Sequence, residues 1–363
     1  MKPRRDLAEL VANAASTVLK LPPGRFVLEA PLVIDRPLTI RGPRATIVGS
    51  KGTAVIVVGN KARLVLEKVS VVRQGKTPGH VIRCRSGELT LTSCVVRGGK
   101  SGRAGSHVGA GVALEGSARA TIDRCSFLAN ELVAVFVTAK SRLVAKRSSC
   151  EGGIAGFYVS GRGHAELEGN RITRAIGGGI SFDGHSTGTA RKNRLTKCGH
   201  AILAVVGSAP LLEGNVCIGS KDDGIWVAGR ATPTITKNLV EGGLRTGIHL
   251  EGQSRTTLRA NRVRTSAWDG VKVMDRAEVD AQGNVIEKSA RSGFAIESRA
   301  PGRWTKNRAT RNGRHGILVT GRARPTLVSN VLTANAGAGI AYAKGGAATA
   351  KNNVCRKNGS DAS

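Results

Sequence analysis

The sequence predicts an all-β chain wound as a single-stranded right-handed parallel β-helix, a solenoid of 22–23 residues per coil with an N-terminal capping α-helix. Three observations carry the prediction. Asparagine recurs at 170, 193, 215, 238, 261, 284, 307, 330 and 353, in steps of 23, 22 and then 23 throughout. Nearly half a period after most of these comes a Gly–apolar step: Gly224-Ile225, Gly247-Ile248, Gly270-Val271, Gly293-Phe294, Gly316-Ile317 and Gly339-Ile340. The chain holds 48 Gly and is 40% apolar, yet only 3% aromatic, which suits a thin stack of aliphatic coils better than one broad core.

Stacking turns each period into a column. A strand pairs with its copy one coil on at about 4.8 Å, so equivalent positions lie over one another. An Asn column is favourable because each amide both donates and accepts. Asn also tolerates the left-handed backbone that a sharp turn demands. After each Gly the alternation reads Ile225 in, Trp226 out, Val227 in, Ala228 out.

Taken in chain order, residues 1–20 are expected to form the capping helix. Apolar residues at 7, 10, 11, 14 and 18 lie on one helical face, with Asp6 as N-cap. The β-helix should run from 21 to 358, with a short tail at 359–363. Cys94 and Cys125 occupy the Asn slot in degraded early coils, and their role is read as stacking. They stand 31 residues apart, so 98–108 is expected to leave the stack as a lateral loop. Gly99-Lys100-Ser101 in that loop imitates a phosphate loop but lacks its first Gly, since Cys94 stands there. A second column of small or amide residues follows at Cys198, Ser220, Gly243, Ser266, Ser289, Asn312, Asn335 and Asn358. The last coil shows no comparable cap, so either the short tail covers its edge or a protein partner or second copy of the chain does.

Charge bounds the partners. A formal net charge of +31 attracts polyanions: acidic polysaccharide, nucleic acid or anionic membrane. An arginine-rich composition serving solubility produces the same excess. No apolar run approaches the roughly 18 residues needed to span a bilayer, and no membrane partner is expected. The N-terminus lacks a continuous apolar signal region, and the seven cysteines are odd in number without C-x-x-C spacing. These point to a cytoplasmic protein with reduced thiols and no zinc site.

The opening Leu21-Pro-Pro-Gly-Arg-Phe-Val-Leu, with Pro31-Leu-Val-Ile and Pro37-Leu-Thr-Ile-Arg-Gly-Pro, resembles the first coils of the pectin-lyase-like superfamily. The Asn-x-aliphatic and Gly-Ile units resemble its generic parallel β-helix repeats, found in a carbohydrate-binding and sugar-hydrolase group. The resemblance covers nearly the whole chain. It implies the fold strongly and function weakly, because the group spans lyases, hydrolases, epimerases and non-enzymatic binders. Of the polygalacturonase pattern only Asp222-Asp223-Gly224 is present. Its Gly-His-Gly and Arg-Ile-Lys are missing, as is the Asp-Pro-His-Asp of alginate epimerases.

Candidate chemistry lies in columns that break the small-or-apolar rule. The position before the Gly reads His200, Asp223, Thr246, Asp269, Ser292, His315 and Ala338. The outward position of the next strand reads Leu203, Trp226, His249, Lys272, Ala295 and Leu318, with Glu251 and Met274 two residues on from His249 and Lys272. Asp223, Asp269, His249 and Lys272 are therefore the candidate catalytic residues. Asp222, Trp226, Glu251 and Trp268 beside them are candidate ligand contacts. The two aspartates, two coils apart, would stand about 9.6 Å from each other, a spacing compatible with an acid and base acting around a water in an inverting glycosidase. The tryptophan faces could stack on sugar rings. Against this, Asp-Gly is ordinary turn chemistry and outward positions are polar by default. Arg230, Arg276, Arg299 and Arg322 form a basic column interrupted by Gln253, a ladder suited to phosphate or carboxylate. Arg171, Arg194, Arg262 and Arg308 add to the excess, and solvated charge against aggregation accounts for such ladders equally. No cofactor is called for, and the carboxylates are sparse for Ca²⁺.

These features together predict a β-helix that binds an acidic polymer or glycan on one flank. If enzymatic, it would be a polysaccharide hydrolase or lyase. The alternatives are a non-catalytic scaffold or self-assembling solenoid, and sequence-independent nucleic-acid binding, which the scarcity of aromatics disfavours.

Overall fold

The computed structural model describes residues 7–13, 16–102 and 107–360. The chain divides into two compact units, Met1–Ile176 and Gly177–Ser363. Each is a parallel β-helix, and a typical coil carries three short strands.

In the first unit the inward column of the second strand reads Leu89, Ala120, Leu143 and Ala165, paired in register from coil to coil. All four are buried. The N-terminal helix, α1, spans Leu7–Ala12, shorter than the 1–20 segment expected. Leu7 and Val11 are buried beneath it, and Arg36 Nη2 donates to the Val11 carbonyl at its C-terminal end. Asp6, the expected N-cap, lies outside the described residues. Val18–Lys20 is a strand rather than helix, pairing with Thr39–Arg41. The β-branched Val18 fits that pleated edge better than a helical turn.

In the second unit the first-strand core column reads Ile202, Ile225, Ile248, Val271, Phe294 and Ile317, each directly over the last. None is accessible to solvent. Burying each such side chain contributes about 1.5–3 kcal/mol. Trp304 joins this core, its ring edge-on to Phe294 at 5.1 Å between centroids.

The asparagine column forms a continuous ladder here. The Asn238 backbone N–H donates to Asn261 Oδ1 at 3.0 Å, Asn261 to Asn284 at 2.9 Å, and Asn284 to Asn307 at 2.9 Å. Each Nδ2 also reaches back to a carbonyl, as Asn261 does to Ile235 at 2.8 Å. One expectation is corrected. The left-handed residue of the turn is the one before the Asn, for example Lys237 (φ 55°), Ala260 (φ 52°) and Lys306 (φ 54°). Asparagine is therefore selected for its bonds alone. In the first unit Cys125 Sγ accepts from the Cys94 N–H, Ser148 Oγ from Cys125, and Asn170 Oδ1 from Ser148. The thiols do the work of the amide, the stacking role expected of them.

Of the lateral loop, 103–106 lie outside the described residues. Gly99 donates to Asn130 Oδ1, and Ser101 N and Oγ both donate to the Glu131 carboxylate, which Lys100 also pairs with. The phosphate-loop imitation thus grips a side chain of its own unit. In the last coil Thr349–Lys351 is exposed and Val354–Cys355 only half-buried.

Candidate functional site

The candidate residues of the second unit sit on the outer side of the first strand and in the turns before and after it. Trp226, His249 and Lys272 are direct partners on neighbouring strands. Inward aliphatics on either side of each fix their outward direction, because side chains alternate along a strand.

Asp223 is buried in the turn before this strand. Its Oδ1 accepts the Thr246 N–H at 3.0 Å, and its Oδ2 meets His249 Nδ1 at 3.0 Å. Burial favours the neutral carboxyl, but the bond to His249 and the Thr246 N–H outweigh it and hold Asp223 below its ordinary range. His249 Nε2 lies 3.5 Å from Glu251, whose other oxygen accepts from Trp226 Nε1 at 3.0 Å. Asp223, His249, Glu251 and Trp226 therefore form one connected polar chain. The ring of His200 stacks on Trp226 at 5.2 Å, and burial holds its imidazole below the usual histidine range.

Asp269, two coils on, is buried without a histidine partner. Burial pushes its carboxyl above the ordinary range, the Ser292 N–H and Lys272 offsetting only part. Lys272 Nζ is 3.6 Å from Glu297. His315 Nδ1 accepts the Ala338 N–H, as Asp223 and Asp269 accept theirs. The column before the Gly thus serves as a set of caps on the next coil's backbone, a structural duty the sequence columns did not reveal.

Trp268 has two guanidinium groups over its ring, Arg245 at 4.7 Å and Arg291 at 4.6 Å. Stacking on a sugar there would compete with these cation–π contacts. Arg245 also reaches Asp222 at 3.5 Å. Arg245, Arg291 and Arg314 were missed as candidates, although they repeat at the 23-residue period one position before the cap column.

The turn after the strand carries Arg230, Arg276, Arg299 and Arg322, all exposed. Arg230 Nε bonds Gln253 at 3.3 Å, and with Arg276 they line a groove of about 480 Å³. Arg276 and Arg299 line a second of about 380 Å³. The first-strand face is thus bordered by guanidinium groups on both sides. Among the described residues no group of three or more His, Cys, Asp or Glu side chains is placed to hold a metal ion.

The family described as "right handed beta helix region" matches residues 44–189, 178–322 and 223–362. Among solved structures, the periplasmic alginate epimerase AlgG is similar at 14% identity and a TM-score of 0.56, over 95% of this chain and 82% of that one. A tailspike protein of E. coli bacteriophage HK620, solved in complex with a hexasaccharide, is similar at 10% identity and a TM-score of 0.51, over 90% of this chain and 71% of that one. No curated protein matches the sequence.

Proposed function

The chain belongs to the right-handed β-helix family, and from that premise we propose that it binds an acidic glycan along the first-strand face of residues 177–363. One observation carries the reading. Trp226, His249 and Lys272 stand in register on adjacent strands, between Arg245, Arg291 and Arg314 on one border and Arg230, Arg276, Arg299 and Arg322 on the other. The strand spacing repeats these cations at intervals of about 4.8 Å or its multiples. An extended polymer carrying a carboxylate on its repeating sugar would meet guanidinium groups throughout its length, and guanidinium is the fork that carboxylate geometry suits. The like-charged border rows repel themselves, and an anionic ligand relieves that cost.

Two proteins sharing the fold support the class of ligand: one is an alginate epimerase and the other was solved holding a hexasaccharide. Binding is the whole of the proposal. Asp223 and Asp269 each commit one oxygen to a backbone N–H, and both are buried. Nucleic acid is the competing polyanion, and base stacking would need open aromatic faces. Trp268 already carries two guanidinium groups over its ring, and one face of Trp226 is taken by His200.

Titration with an oligouronate, a neutral oligosaccharide and single-stranded DNA tests this. The oligouronate should bind best, weaken as salt is added, and lose about tenfold or more in the double variant Lys272→Ala/Arg276→Ala. Unchanged affinity in that variant, or tighter binding of DNA, would sink the reading.

A further inference from the structure

The first unit carries a groove of about 490 Å³ on the outer side of its second strands. Its floor is Thr90, Thr121 and Val144, paired in register across three coils. These short β-branched side chains leave depth beside a wall of longer ones. The wall is the column one pleat earlier: Arg63, Glu88, Arg119 and Arg142, again in register. Arg63 approaches Glu88 at 3.9 Å. Arg119 and Arg142 are direct cross-strand neighbours, and among the described residues neither guanidinium has an ion-pair partner. Two like charges held side by side cost stability. The arrangement is thus a forked cationic pair, one carboxylate, and hydroxyl groups on the floor.

We propose that this groove is a second, separate site for an acidic oligosaccharide, with an anionic group of the sugar between Arg119 and Arg142 and a sugar hydroxyl on Glu88. Glu88 decides the class of ligand. A carboxylate accepts from sugar hydroxyls, which every unit of an acidic oligosaccharide offers and the backbone of an oligodeoxynucleotide lacks between its ends. Paired guanidinium groups suit a carboxylate or a sulfate equally, so the shared chemistry is an oxyanion borne on a sugar. The site shares no residue with the face proposed in 177–363 and stands or falls apart from it.

Calorimetric titration of the full chain separates the two. In the Lys272→Ala/Arg276→Ala background, an oligouronate or a sulfated oligosaccharide of equal length should still bind, and a neutral one should not. Which of the two acidic ligands binds identifies the oxyanion. Adding Arg119→Ala/Arg142→Ala should weaken that binding at least tenfold, with a thermal midpoint equal to or above that of its parent because a repulsion has been removed. Glu88→Gln, which removes a charge without shortening the side chain, should weaken the oligosaccharide and strengthen an oligodeoxynucleotide. Absence of acidic-oligosaccharide binding in the first background would overturn the proposal, as would indifference to the Arg119/Arg142 change or an oligodeoxynucleotide that binds the Glu88 protein more tightly than either sugar. Should Lys272→Ala/Arg276→Ala alone change nothing while Arg119→Ala/Arg142→Ala abolishes binding, the face in 177–363 fails and the groove stands.

Discussion

Asn261 illustrates how much one residue of this repeat is asked to do. Its Oδ1 accepts from both the backbone N–H and the Nδ2 of Asn238, each at 3.0 Å, while its own Nδ2 donates to Ile235 O and to Asn284 Oδ1. All of this is buried, where an unmet donor or acceptor costs about 1–3 kcal/mol. Asn261→Ala is therefore expected to destabilise the protein by about 3 kcal/mol or more, read as a shift in the denaturant midpoint. A change below about 1 kcal/mol would mean that the ladder is not what holds the turn. The period made this column visible in the sequence, but it did not reveal the division of labour in the turn. The left-handed conformation falls on residues such as Lys237 and Ala260, which bear no marker of it, at a local cost of roughly 1–2 kcal/mol each. Nor could it show that the Trp268 ring is held by two guanidinium groups, because Arg245 and Arg291 reach it from neighbouring coils.

The strand His80–Arg85 shows the same logic at the scale of an element. Its first residue is a buried histidine whose Nδ1 accepts the Ala110 N–H at 3.2 Å, a bond that requires the unprotonated ring. Beside it the buried guanidinium of Arg73 donates to the carbonyls of Gly52, Thr77, Pro78 and His80, pinning the loop that leads into the strand. Burial pushes His80 down to about 4 from an ordinary 6.5. A histidine with a depressed folded value contributes stability that is fully present above 6.5 and is lost as pH falls towards 4. The loss is about 1.4 kcal/mol per pH unit across that window. Thermal unfolding followed from pH 7 to pH 4 should show this acid sensitivity in the wild type and a clearly flatter profile in His80→Asn. Parallel profiles would refute the assignment. His80 does not even fall in a visible column, because Ala110 follows at 30 residues rather than 23, the lateral loop having broken the period that aligns Asp223 with His315.

Across the whole molecule, the excess of 56 Lys and Arg over 25 Asp and Glu is not spread evenly over roles. Many basic side chains are spent in ion pairs between coils, such as Arg262 with Glu287 and Arg147 with Asp123. Exposed pairs of that kind contribute little individually. Others, such as Arg276, Arg299 and Arg322, line the border of the first-strand face, and Arg119 and Arg142 stand side by side in the first unit. The coil architecture was legible because a fixed period forces equivalent residues into register. The site was legible only as columns, since pairing, burial and the direction of each long side chain depend on neighbours one coil away. Arginine footprinting with a dicarbonyl reagent, read by mass spectrometry with and without bound oligouronate, shows directly whether the polymer lies between the two arginine rows. Protection is expected at Arg230, Arg245, Arg276, Arg291 and Arg299, with Arg194 and Arg308, exposed on third strands, labelled as before. Protection confined to Arg194 and Arg308, or none at the border rows, would contradict that placement.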